Sequence, residues 1–271
     1  MPTIEDNLTL WGSRYAWPAG GDEWSTRWGG SESQWFSTIY PRIHTFLPAM
    51  TILEIAPGYG RWTQYLKEYS ERLVVVDLNP NCIDRCRERF ASSPKLEYHV
   101  NDGKSLHMIA DESIDFVFSF DSLVHAEADV IEAYLAQLAQ KLKPNGVGFI
   151  HHSNLGAYRV RWSLIQRAVP TRLRRRLVKR GWLTSFGMRA PSVTAELFAT
   201  YSERAGLPCV SQELIRWKGS LLLDCFSVFA KPASIWARPN RVYRNQKFVE
   251  EVANTGCLSS LYSSTSFFNG G

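Results

Sequence analysis

Little in these 271 residues suggests a covalently stapled or membrane-embedded chain. The five cysteines (Cys82, Cys86, Cys209, Cys225, Cys257) are odd in number and scattered. None shows the paired spacing of a zinc site, which argues against a disulfide framework and a structural metal. The longest apolar stretch, Ser220 to Ala230, is broken by Asp224 and is far shorter than the ~20 residues of a bilayer-spanning helix. No charged-then-apolar leader pattern opens the chain. A cytoplasmic protein, neither exported nor integral, is the expectation. Internal repeats are lacking as well.

What is present points to a folded chain. Hydrophobic residues make up 45% and charged residues 21%, a mix whose burial offsets chain entropy, so one domain with insertions is expected. The net charge of +5 hides an asymmetry: ten basic and no acidic residues lie between Arg159 and Arg189, leaving 21 basic against 26 acidic elsewhere. Tryptophan is uneven too, with Trp11, Trp17, Trp24, Trp28 and Trp35 providing five of the ten.

Periodicity divides the chain into a Trp-rich cap (1–50), a core (51–156), a basic helical insertion (157–190), a segment completing the core sheet (191–231) and a C-terminal extension (232–271). In the cap, Trp35, Ile39, Ile43 and Phe46 recur at helical spacing within Glu32 to Leu47. From Thr51 the pattern becomes strand, glycine turn, helix: "TILEIA", "PGYGR", "WTQYLKEY". "RLVVVDL" follows, with a helix opening at "NPNCIDRCRERF". Further strands are expected at "LEYHV", "IDFVFSF" and "GVGFIHH", with a helix from Ala128 to Leu142 between the last two. Near-continuous apolar strands alternating with helices predict a doubly wound, Rossmann-like, mostly parallel α/β sheet. A helix near Val193 to Ala205 and a hairpin of "CVSQELIRW" and "LLLDCFSVFAK" about Gly219 complete it. The extension offers one short helical pattern, Gln246 to Ala253, and a Ser-rich end.

In such a sheet the ligand sits beyond the carboxyl ends of the strands, where strand order reverses. Gly58 and Gly60 occupy the turn after the first strand, Asp77 closes the second, and Asn101, Asp102 and Gly103 follow the third. An acid at Asp77 can accept both hydroxyls of a ribose, and Asp102 can accept from an adenine amino group. A dinucleotide site would carry a third glycine three residues after Gly60, where Thr63 stands. Glu54, before the loop, would repel a pyrophosphate but can position an ammonium group. S-adenosylmethionine fits better than a dinucleotide.

"LEIAPGYG", "VVVDLN", "NDG" and "LKPNGVGFI" together resemble the class I S-adenosylmethionine-dependent methyltransferases over Ile52 to Asn154. Pro57 departs from the small residue common there. The resemblance implies a seven-stranded sheet whose last strand is antiparallel, and a cofactor set of Glu54, Ala56, Gly58, Gly60, Asp77, Leu78, Asn101, Asp102, Gly103 and Phe120. "GDEWS", "SFDSLVHAE" and "FIHHSN" look like bacterial methyltransferases that modify sugars or surface polysaccharides, which implies a small-molecule or glycan acceptor; the basic segment Arg159 to Arg189, read as a lid, would suit one that is anionic or nucleotide-linked.

Methyl transfer to a hydroxyl needs alignment and removal of one proton. Asp121 and His125 share a face if their stretch is helical, so His125 is the expected base, oriented by Asp121. His151 and His152 end the fifth strand; neighbours on a strand point oppositely, and His152 is the preferred assistant. No metal and no stable nucleic-acid partner are expected. The basic insertion reads three ways: a solvated helix face, a lid on an anionic acceptor, or a strip for anionic lipid or RNA. The cap tryptophans read equally as sugar-stacking faces and as core. An RNA or other small-molecule acceptor, and an inactive cofactor-binding protein, are the alternative functions.

Overall fold

The computed structural model describes residues 3–159, 170, 173, 176, 188–217 and 219–262. Most of the basic insertion, and with it the choice among its three readings, lies outside the described residues, as does the Ser-rich end.

Eight strands form one sheet: β1 (Ala49–Ile55), β2 (Ser70–Asp77), β3 (Leu96–Val100), β4 (Ile114–Ser119), β5 (Leu142–Ser153), β6 (Cys209–Ile215), β7 (Asp224–Ala230) and β8 (Arg241–Asn245). Their order is β3-β2-β1-β4-β5-β7-β6-β8. All neighbours are parallel except that β7 runs antiparallel to both β5 and β6. Seven strands were expected with the last reversed. The hairpin supplies the reversed β7, but the extension adds an eighth strand, parallel to β6, at the edge. Its residues are exposed except Asn245, so β8 carries no apolar alternation by which to announce itself. Among the described residues no helix is long and apolar enough to cross a membrane.

Alternation along each strand sends side chains to two faces. One face gathers Leu53, Ile55, Val76 and Val117 with Ile131, Leu135 and Leu138 of the helix Ala128–Lys141 and Phe198 of the helix Ala195–Arg204. The other gathers Ile52, Val75, Phe116 and Phe118 with Trp28, Trp35, Ile39 and Ile43. Trp28 and Trp35 are fully buried, so the second half of the cap is a layer of the sheet's own core rather than a module beside it. The helical path from Ser31 to Phe46 is not uniform: Trp35–Ile39 forms a wide turn ahead of Tyr40–Ile43. Pro41 lacks the N–H that would donate to Ser37, and its ring crowds that carbonyl, so the local backbone widens. In the extension, the helix Phe248–Tyr262 replaces the shorter one expected, and its Phe248 and Val252 join the same core. The strand order reverses between β1 and β4, and the carboxyl ends there open onto the site.

Candidate active site

A cavity of about 840 Å³ lies over those strand ends. Its floor is Ala56 and Gly58 after β1, Asp77 at the end of β2 with Leu78 after it, and Gly103 after β3. Ser122 to His125 after β4 form one wall. The roof comes from the first residues of the chain, including Ile4, Asn7, Trp11, Trp17 and Trp24.

The glycine loop has a distinct geometry. Gly58 sits at φ +59°, and a Cβ there would lie 2.7 Å from the Trp17 ring, so only glycine allows both the left-handed turn and the roof contact. Gly60, at φ +83°, faces Phe90 instead, 2.5 Å from where a Cβ would stand; it serves packing and does not line the cavity. Asp77 accepts from the Asn79 N–H at 2.8 Å and the Gly58 N–H at 3.3 Å. Burial pushes its pKa up to about 6 against these backbone donors, and it faces the cavity.

Several expected contacts are absent. The carboxyl of Glu54 accepts from Thr63 Oγ1 at 2.6 Å beneath the loop and is 1% exposed; burial raises its pKa to about 8. It does not border the cavity, so it cannot position an ammonium group by contact. Asp102 turns outward and accepts from the backbone of Lys104 and Ser105 at 2.9 and 2.7 Å, bonds that lower its pKa; it closes a turn rather than facing an adenine. Asn101 donates to Ser105 O and Tyr134 Oη and thereby holds the same turn. Phe120 is buried against Trp62 and His151. Ala56, Leu78 and Gly103 are on the cavity surface.

The histidines separate into three environments. His125 closes a short turn, Leu123–His125, rather than a helix shared with Asp121. Its Nδ1 donates to the carbonyl of Met188 at 2.9 Å, which leaves Nε2 as the lone-pair nitrogen. Burial holds its pKa below the ordinary imidazole value, and the Trp11 ring lies 5.2 Å away. Asp121 does not orient this ring. At φ +64° it directs its carboxylate to Arg61, which donates at 2.8 Å. Its own N–H donates to Nδ1 of His151 at 3.1 Å. His151 is buried behind Asp121, its ring among Phe120, Phe226 and Trp217.

His152 faces the other side of the sheet, stacked at 4.2 Å on Phe198. Nδ1 donates to Ser153 O, and Nε2 accepts from Ser227 Oγ, each at 2.8 Å. It belongs to the core and cannot assist at the cavity; burial lowers its pKa to about 3. Adjacent strand residues do point oppositely, but which face holds the cavity is a tertiary property.

Sequence reasoning missed Arg61, Tyr134, Arg189, Asp224 and the roof. Asp224 had a signal, being the acid that interrupts an apolar run. It is fully buried and takes both prongs of Arg189.

The strand order, with a glycine turn after β1 and an acid at the end of β2, is that of the class I methyltransferase fold. Residues 52–146, about a third of the chain, match the family model described as a methyltransferase domain; the group such a domain would hold here is S-adenosylmethionine. The cavity fits that group: its volume falls within the ~300–1,000 Å³ of small-molecule sites, and a buried carboxylate and bare glycine backbone meet on its floor. Phosphoethanolamine N-methyltransferase 1 of Triticum aestivum is 28% identical over 118 residues, 42% of this chain and 24% of that protein; the chain thus matches about a quarter of the length of that curated relative. Two solved structures share the fold. The PH0226 protein of Pyrococcus horikoshii OT3 has a TM-score of 0.55 at 18% identity, covering 82% of this chain and 95% of that one. The N-methyltransferase NodS of Bradyrhizobium japonicum WM9, in complex with S-adenosyl-L-homocysteine, has a TM-score of 0.54 at 16% identity, covering 84% and 96%.

Proposed function

We propose that the protein transfers a methyl group from S-adenosylmethionine to a hydroxyl of a sugar or glycan-type acceptor, with His125 as the general base. The bound cofactor supplies an electrophilic methyl on a sulfonium, open to in-line displacement. Asp77 accepts from the ribose hydroxyls, while the bare backbone at Gly58 allows close approach. His125 Nε2 takes the hydroxyl proton as the oxygen attacks. The flat faces of Trp11, Trp24 and Trp217 on the cavity suit the apolar side of a sugar ring. The roof limits water access to the reacting centre.

The observation that carries this reading is the state of His125: Nδ1 is pinned by a carbonyl, and burial keeps the ring neutral. A hydroxyl depends on such a base more than an amine does. His125→Ala should lower turnover by about 10²–10⁴-fold, the usual contribution of a positioned base, with binding of S-adenosylhomocysteine unchanged by calorimetry. Full turnover in that variant would remove the assigned role.

A second reading is an amine acceptor, the group that the name of the wheat relative specifies for that protein. Glu127, on the cavity, favours it here: Oε2 accepts from Ser192 Oγ, and Oε1 is buried without a hydrogen-bond partner. An ammonium would supply that partner. Product release measured over paired hydroxyl and amine acceptors separates the two, because amine methylation at alkaline pH should survive His125→Ala. Cofactor binding without turnover on either panel would leave a binding protein.

A further inference from the structure

The one strand that runs against its neighbours begins on a buried carboxylate. An isolated buried carboxylate is costly, so its partners define what it does. Asp224 accepts from Arg189 Nε at 2.5 Å and Nη2 at 2.6 Å, a two-pronged pair that fixes the guanidinium in plane. Burial would raise the Asp224 pKa, yet Arg189 and His151 hold it well below the usual carboxylate range, so the pair stays charged.

Arg189 lies in a three-residue strap laid across the wall of the cavity. On one side of it the Met188 carbonyl accepts from His125 Nδ1 at 2.9 Å. On the other, the Ala190 N–H donates to Val124 O at 2.9 Å, and the Ala190 carbonyl accepts from Ser153 Oγ at 2.8 Å. The Arg189 fork is the strap's charged anchor to the sheet. Asp224 also lies 3.6 Å from Nε2 of His151, whose Nδ1 accepts from the backbone of Asp121. His151 therefore carries its proton on the side facing Asp224. One carboxylate faces both the strap that sets the tautomer of His125 and the ring that supports the turn before it.

We propose that Asp224 is a positioning residue for His125, acting through Arg189 and the carbonyl of Met188 to hold Nε2 unprotonated and aimed into the cavity. This rests on the reading of His125 as base. Asp224 is fully buried and does not line the cavity; its effect is confined to where the imidazole proton sits. With the strap displaced, Nδ1 loses its acceptor, the Nε2–H tautomer becomes accessible, and a base with its proton on the wrong nitrogen cannot take another.

The test uses the full chain with ¹⁵N-labelled histidine. Asp224→Asn should abolish the single Nδ1–H signature of His125. It should also lower kcat by about tenfold or more, out of the ~10²–10⁴ a positioned base provides, while the KM for S-adenosylmethionine stays within about twofold, as expected of a group outside the binding step. In a His125→Ala background the same change should have no further effect on kcat. If Asp224→Asn does not fold, Arg189→Lys keeps the charge and loses the fork, and the same pattern should appear at smaller amplitude. Unchanged kcat and tautomer in a folded variant, while His125→Ala is impaired, overturn the positioning role alone. Additive losses in the double variant overturn it as well. Full activity of His125→Ala instead removes the base on which the inference rests.

Discussion

Acidification isolates the environment of His152 and puts a magnitude on it. The ring closes a buried chain in which Asn240 donates to Gln212, Gln212 to Ser227, Ser227 to His152 Nε2, and His152 Nδ1 to the Ser153 carbonyl. Both ring nitrogens are committed in the neutral form, and a second proton would have to displace the Ser227 donor in a fully buried site. Burial lowers the pKa to about 3 from the ordinary 6.5. Below 6.5 the unfolded chain binds a proton that the native state refuses, so this group makes stability rise with pH between about 3 and 6.5. At about 1.4 kcal/mol per pKa unit, acidification from about pH 7.5 to about pH 4.5 should remove about 3 kcal/mol through His152 alone. Glu54 and Asp77 act in the opposite sense, since their native pKa values are raised to about 8 and about 6; they favour the native state at acid pH. Comparison with His152→Gln cancels them. The variant keeps an acceptor for Ser227 but leaves the Ser153 carbonyl unpaired, a pH-independent cost of about 1–3 kcal/mol. Urea denaturation across this range should therefore show the variant less stable at neutral pH and the two curves converging toward acid. Parallel curves would mean that the native ring takes up its proton normally, and the buried-neutral assignment would fall.

Two further outcomes concern the cofactor floor. Asp77→Asn should weaken S-adenosylhomocysteine binding by about 10–100-fold, the loss of charge-assisted hydrogen bonds of about 1.5–3 kcal/mol. Wild-type affinity should likewise decline as pH falls through about 6, where Asp77 protonates; calorimetry with undiminished affinity in both cases would exclude it as a ribose acceptor. Gly58→Ala should cost about 1–2 kcal/mol of left-handed strain and displace the Trp17 ring, which lies 2.7 Å from the new Cβ. Adding Trp17→Ala should relieve only the steric part, and a Gly58→Ala protein as stable as wild type would refute the contact.

What was legible in the sequence is what local chemistry dictates. The left-handed turn at Gly58, the acid closing β2, and the apolar runs at Leu73–Val76 and Phe116–Phe118 all follow from neighbours along the chain. The hairpin of β6 and β7 belongs with them. Pairings across long separations were not legible. Asp121 and His125 stand four apart, yet Asp121 bonds Arg61 and His125 bonds Met188. Asp102 carries the right residue type at the right strand end but uses it to close its own turn. Glu54 is adjacent to the loop but beneath it. The edge strand β8 escaped because four of its five residues are exposed, which erases the period-two signal.

The uneven tryptophans acquire a physical account from the same structure. The first 35 residues are not one unit. Trp28 and Trp35 are fully buried in the sheet's second core, where their area stabilises the fold whatever the ligand. Trp11, Trp17 and Trp24 instead pack edge to face and tilted above the strand ends, and all three border the cavity. Trp17 stacks on Tyr59 at 4.3 Å directly over the glycine turn. Arg61, two residues further on, lies over Trp24 and donates to both Ser25 of the roof and Asp121 of the wall. The glycine turn, the roof and the turn carrying His125 are therefore joined by one arginine and one stacked ring pair. A substitution in the roof should act on cofactor affinity as well as on acceptor choice, because no boundary in the packing separates the two.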